Sequence, residues 1–127
     1  MSTRVIIFLL IFFFPILVFG ETISMSNLIK RDGIYFKKFS TTPFTGSVED
    51  WKKNGQLKGI GKLVNGRKEG IWKHWHEETG NLWLKIEWEN NYINGDLEHY
   101  DYGGLLCDVK TFKMGIEIEH RLIKSCF

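Results

Sequence analysis

Beyond residue 33 the chain runs in short segments in which apolar and polar residues alternate. The cleanest is the segment 82–89, where Leu82, Leu84, Ile86 and Trp88 fall on one side of a two-residue period and Trp83, Lys85, Glu87 and Glu89 on the other. That alternation is the signature of a half-buried strand. Ile34-Tyr35-Phe36-Lys37-Lys38-Phe39 follows the turn signal Asp32-Gly33 and has the β-branched and aromatic content of another strand. Between the runs, glycine recurs on a lattice. Gly46, Gly70 and Gly95 form one phase, Gly55, Gly80 and Gly104 a second, and Gly66, Asn91 and Gly115 a third, each stepping by 24 or 25 residues.

Self-similarity at such a period marks a repeat architecture. In each copy a Gly opens a strand carrying two bulky residues three apart, as in Val48 and Trp51, Trp72 and Trp75, or Leu97 and Tyr100. A turn follows at Asn54-Gly55, Thr79-Gly80 or Gly103-Gly104, then a second strand, then a turn at Asn65-Gly66, Asn90-Asn91 or Met114-Gly115. Gly and Asn suit these places because they tolerate positive φ most readily. Punctuation every nine to eleven residues leaves no room for helices of ordinary length. The pattern therefore predicts an all-β fold, an antiparallel meander of repeated hairpins stacked into a solenoid-like sheet. The domain is expected over 33–127, with copies at about 46–69, 70–94 and 95–118. Residues 33–46 read as a shortened half-copy capping the stack, and 21–32 as an uncommitted lead-in.

The N-terminus differs in kind. Arg4 precedes an apolar run from Val5 to Phe19 broken only by Pro15, and Val18-Phe19-Gly20 offers a cleavage-like boundary before Glu21. The layout is that of a secretory signal helix over residues 1–20. Its 15 residues fall short of the roughly 20 that span a bilayer. Cleavage predicts a secreted or periplasmic protein; retention makes residues 5–20 a membrane anchor and opens a membrane surface as partner. An exported location permits a bridge between Cys107 and Cys126, and two separate thiols are the other reading.

Of 17 basic and 15 acidic residues, only Arg4 lies in the first twenty, so the remainder carries a charge near +1, and nucleic acid is not expected as a partner. The distribution is uneven. Seven basic residues lie between Lys52 and Lys73 against Glu69 alone, and seven acidic ones between Glu77 and Asp101 against Lys85.

Asn54-Gly-Gln-Leu-Lys58, Asn65-Gly-Arg-Lys-Glu-Gly70, Ile71-Trp-Lys-His-Trp-His76 and Thr79-Gly-Asn-Leu82 together resemble the bacterial variant of the MORN repeat. The likeness covers roughly residues 28–120 and fades where Asn91 replaces a Gly and Glu119 stands at a fourth opening position. It implies a stacked β-hairpin sheet acting as an interaction scaffold toward a protein or lipid partner. Some proteins of this variant are associated with neutralising a partner toxin, so an antitoxin-like or immunity-like role is a further implication of the resemblance.

Candidate chemistry is sparse. His74 and His76 share a strand face by spacing, and His99 is the repeat equivalent of His74, with Glu77 and Glu78 alongside. Equivalent positions two strands apart are separated by about 9–10 Å at a strand spacing of about 4.8 Å, too far for one ion. The histidines are expected to face solvent, and neither a metal nor another cofactor is expected. Cys107 is the one conceivable nucleophile, and no hydrolase, zinc-protease or phosphate-loop motif accompanies it, so the chain is not expected to be an enzyme. Trp75 and Trp88 are expected in the core. Trp83, on the polar side of its strand, is expected to make contacts, and Trp72, His74, His76, Trp83 and His99 are the candidate binding residues.

Overall fold

The computed structural model describes residues 20–127, so the apolar segment read as a signal helix or anchor lies outside the described residues. Among the described residues no helix is long and apolar enough to cross a membrane. The chain is all-β. In order it forms β1 (Thr22–Ser24), a single 3-10 turn (Met25–Asn27), β2 (Leu28–Arg31), β3 (Ile34–Lys37), β4 (Gly46–Trp51), β5 (Leu57–Val64) and β6 (Arg67–Trp75), followed by β7 (Leu82–Glu89), β8 (Tyr92–Tyr100), β9 (Leu106–Lys113) and β10 (Ile116–Leu122). Strands β4 to β10 pair in sequence as an antiparallel meander, and β1 lies parallel to β4 at the opposite edge from β10.

The expected half-copy at 33–46 does not join this sheet. β3 pairs with β2, from the lead-in, as a separate two-stranded hairpin. It docks against the turns: Tyr35 N–H donates to Gly66 O (2.9 Å), and Asn91 Nδ2 to Gly33 O (2.8 Å). The lead-in thus supplies part of the core, because Ile23 and Leu28 bury beside Phe44, Val48, Leu63 and Trp72.

The lattice proves to be a hydrogen-bonding lattice. At one end of the sheet, the turns 65–66, 90–91 and 114–115 have positive φ at both central residues, as at Asn65 and Gly66 (50° and 74°), the tight geometry whose twist matches paired strands. Each turn is stapled to the preceding copy. Gly66 N–H donates to Phe44 O (2.7 Å), Asn91 N–H to Lys68 O (3.0 Å) and Gly115 N–H to Ile93 O (2.8 Å). At the other end, Lys52, His76 and Asp101 open the turns by donating their N–H groups to Gln56, Asn81 and Leu105 O.

The core occupies only part of one face. Residues directly opposite on neighbouring strands share a face, and the register puts Val48 opposite Gly61, and Trp72 opposite Ile86, which in turn lies opposite Leu97. The Trp72 indole lies on Gly61: a Cβ there would come within 2.0 Å of the ring. Its Nε1–H donates to Lys62 O (3.1 Å). Lys68 Nζ sits over the rings of both Trp72 (5.0 Å) and Trp88 (4.6 Å), and burial, followed by Lys30, pushes its pKa down. Trp72 was a candidate binding residue, but at 2 % exposure it belongs to the core. Trp75, expected in the core, is only half-buried, while Trp88 packs against the core as expected.

The opposite face is mostly open, with Val109 buried on it opposite Glu98. Trp51, Trp75 and Tyr100, equivalent in the three copies, stand opposite Leu57, Leu82 and Leu106. Pairs three apart such as Trp72 and Trp75 therefore divide between the two faces, as strand alternation requires.

Truncating Trp72 removes the largest fully buried side chain. Trp72→Ala is expected to lower stability by about 3–5 kcal/mol, whereas Trp51→Ala, half-exposed on the open face, costs less than about 1 kcal/mol. Urea unfolding followed by circular dichroism measures both, and equal losses would refute this placement of the core.

Candidate functional site: an aromatic and histidine groove

The docked hairpin leaves the far half of the core-bearing face uncovered. There the last residues of the strands and the turns at 76–81 and 101–105 border a groove of about 610 Å³. Its position follows from a repeated irregularity. In each hairpin the return strand holds one extra residue: Lys58 between Leu57 (opposite Trp51) and Gly59 (opposite Asp50), Trp83 between Leu82 and Leu84, and Cys107 between Leu106 and Asp108. Such bulges re-aim a side chain. Lys58 and Trp83 enter the groove wall, and Cys107 is buried behind it, bridged to Cys126, which lines it.

Trp83 therefore does not stay with Lys85 and Glu87 on the polar side, where simple alternation puts it. Its Nε1–H donates to His99 Nε2 at 3.1 Å. Indole N–H can only donate, so His99 Nε2 is the acceptor. His74 and His99 lie on either side of Leu84, opposite it on the neighbouring strands, which puts both on the groove face. They remain two strands apart, as the spacing argument requires.

His76 behaves differently from its strand-spacing expectation. It lies past the end of β6, and its Nε2–H donates to the Tyr100 and Asp101 carbonyls, both at 3.1 Å. It is a clasp between successive turns, and its ring also stacks near Tyr102 (centroids 4.6 Å) and Trp83 (5.8 Å). Lys52 does the equivalent job one copy earlier, donating to Glu77 O. All three histidines are half-buried and not, as expected, freely solvent-facing. Of the five candidates, the groove gathers His74, His76, Trp83 and His99; Trp72 lies outside it.

Three contributors were not visible in the sequence. Lys58 sits 3.5 Å from Glu77 and 4.0 Å from Asp50, at the place where the basic run meets the acidic one. Tyr102 lies in a turn whose glycine pair was noted without regard to its neighbour. The tail is the third. Ile123 and Lys124 N–H both donate to Cys107 O, Lys124 pairs with Asp101 and holds that carboxyl below its ordinary pKa, and the Cys107–Cys126 bridge carries Cys126 and Phe127 to the groove rim. The equivalence of Lys58, Trp83 and Cys107, stepping by 25 and 24, was the available signal. The arrangement offers aromatic surfaces for stacking, imidazoles for hydrogen bonding and one lysine cation.

His74 carries a pKa below its ordinary 6.5, first because burial disfavours the cation and then because Lys68 and Lys58 oppose it, with Asp50 acting in the other direction. A base depressed by folding stabilises the fold fully above its unfolded value. That contribution is lost as pH falls from about 6.5 through the lower folded value. Acidification from neutrality toward about pH 5 is expected to reduce stability, and His74→Gln to flatten part of that dependence. Unfolding midpoints across this range, with the imidazole titrated by NMR, test it; a His74 titration above 6.5 contradicts the electrostatic account. Compared with known proteins, the chain matches no family model, no curated protein and no solved structure.

Proposed function

We propose that this chain is an exported, non-enzymatic repeat scaffold that holds a protein partner in the groove at the far end of its sheet. The observation that carries the reading is the groove itself: about 610 Å³ in volume, with partly exposed aromatic walls at Trp83 (41 %) and Tyr102 (53 %). Concave sites of a few hundred Å³, mostly apolar with a few converging polar groups, are where proteins take up ligands and anchoring side chains. Trp and Tyr are over-represented among residues that dominate binding energy, because they present large rigid surfaces with a polar tip. Lys58, Glu77 and His99 supply the polar groups that fix orientation. The resemblance to MORN-type repeats supports the same role, and the apolar run before Glu21 supports export. Within a hairpin-repeat scaffold the turns and core are common property, so specificity resides in what decorates the bulge positions.

The open face, with Trp51 and Tyr100, is the competing surface and supplies the control; Trp75, in the same row, also lines the groove. Recovery of a partner from the periplasmic or culture fraction by tagged wild type is expected to fall at least tenfold with Trp83→Ala and Tyr102→Ala. It is expected to be unchanged with Trp51→Ala. Loss confined to Trp51→Ala would transfer binding to the open face, and unchanged recovery with all three would remove the groove from the reading. Mass spectrometry of the N-terminus in the same fractions is expected to start after residue 20; an intact Met1 in membranes would contradict a freely exported form.

A further inference from the structure

The disulfide lies against a histidine. Cys107 Sγ, Cys126 Sγ and a ring nitrogen of His99 all lie within 4.8 Å of one another, and Cys107 is 0 % exposed. These three atoms come from two sources of different stiffness. Cys107 and His99 belong to the adjacent strands β9 and β8, where the register holds His99 opposite Asp108 and the Cys107 sulfur lies 3.2 Å from His99 O. Cys126 comes from the tail beyond β10, whose residues Ser125 and Phe127 are exposed.

We infer that reduction of the Cys107–Cys126 bridge converts it into a metal site, in which the two thiolates and His99 bind one thiophilic d10 cation of the zinc class. The step balances as follows. A dithiol or phosphine reductant supplies two electrons, two protons enter, the S–S bond breaks and two thiols form. The cation then displaces the two thiol protons and makes two metal–sulfur bonds and one metal–nitrogen bond.

Geometry supports this. Zinc–sulfur bonds of about 2.3 Å and zinc–nitrogen bonds of about 2.0–2.1 Å give a tetrahedron with edges of roughly 3.5–3.8 Å. The His99 nitrogen lies within 4.8 Å of both sulfurs, so shifts of about 1 Å bring it into that range, and breaking the bridge frees the sulfurs to part. The exposed tail can supply that movement while the strand pair keeps the other two ligands in place. Chemistry supports it too. Two thiolates and an imidazole select zinc, cadmium or cuprous copper over magnesium or calcium. Trp83 donates to His99 Nε2, and that bond is released when a ring nitrogen of His99 takes the cation. Three protein ligands leave a fourth position open, as in zinc centres that take an exogenous ligand, and here that position borders the groove. The bridge and the metal are therefore alternative ways of tying the tail to β9. The inference does not depend on which partner the groove takes.

The test uses the full chain reduced with a phosphine and titrated with Co²⁺, which reports tetrahedral thiolate ligation by intense visible bands and a near-ultraviolet charge-transfer band. One Co²⁺ per reduced chain, displaced by Zn²⁺, is expected; the oxidised chain is expected to show no charge-transfer band. Cys126→Ser should remove most of that band, and His99→Ala should weaken binding at least about tenfold. If reduction alone unfolds the chain, Zn²⁺ is expected to restore its β-sheet circular dichroism, since binding at such a site is coupled to folding. A reduced chain with no charge-transfer band overturns the inference. So does a His99→Ala variant that binds as tightly as wild type, or a reduced chain that Zn²⁺ fails to refold.

Discussion

The contact on which the sheet depends is the Trp72 indole lying over Gly61. A single antiparallel layer has little interior, and this one buries residues chiefly where the N-terminal hairpin covers it. Within that patch a large flat ring packs with Phe44, Val48 and Leu63, and the missing Cβ at residue 61 makes the room. One copy later, the site corresponding to Gly61 holds Ile86, which stands opposite Trp72 and Leu97. Next to it the Glu87 carboxylate accepts from Asp96 N–H at 2.7 Å and fills the space beside Gly95. At Ile86 no glycine is left for a ring to lie on, and Leu97 stands where Trp72 stood, so the aromatic packing is not repeated. Support for the later strands passes to Ile86, Val109 and the disulfide.

With so little buried area, much of the remaining order rests on hydrogen bonds that link one copy to the next. Individually such bonds contribute only about 0.5–1.5 kcal/mol. Their arrangement matters more, since every turn is tied to the copy before or after it. Thr45 Oγ1, Glu69 Oε2 and Asn94 Oδ1 each accept from the first residue of the next turn, at Asn65, Asn90 and Met114. At the far end Lys52 and His76 reach forward to the next turn, and Asp101 receives Lys124. A turn cannot open without releasing its neighbour, which is how nearest-neighbour coupling propagates along a repeat array.

The strands, turns and period were legible in the sequence because each rests on a local rule: period-two alternation at 82–89, and positive φ at Asn65-Gly66 and Met114-Gly115. The path of residues 21–46 was not, because β1 and the β2–β3 hairpin are placed by Ile23, Leu28 and Phe44 finding Trp72, a long-range contact that leaves no periodic trace. Site residues divided along the same line. His74 and His99 fell on one face by repeat equivalence, as the register has them. Trp83 was assigned the polar side because strict alternation ignores bulges, and a single inserted residue reverses which face follows. The bulge was nevertheless encoded, since the pairs Trp51–Leu57, Trp75–Leu82 and Tyr100–Leu106 recur with one residue too many before the next match. Trp72 was misassigned for a different reason. Its partner is a glycine, and the absence of a side chain carries no hydrophobic signal.

The column formed by Lys58, Trp83 and Cys107 shows how a uniform scaffold acquires a particular surface. The three residues occupy one structural position, yet they are a cation, an aromatic donor and half of a covalent tether. The strands and turns around them hardly change. A bulge residue lies outside the regular pairing of the ladder, so its identity is free of the constraint that holds Trp72 and Gly61. Variation there alters the groove without loosening the sheet, and the coupled turns hold the three positions at a constant spacing. The same separation of roles explains why the tail closes at Cys107 and not elsewhere. After β10 the chain turns back to that place, and Cys126 bridges to the bulge residue Cys107.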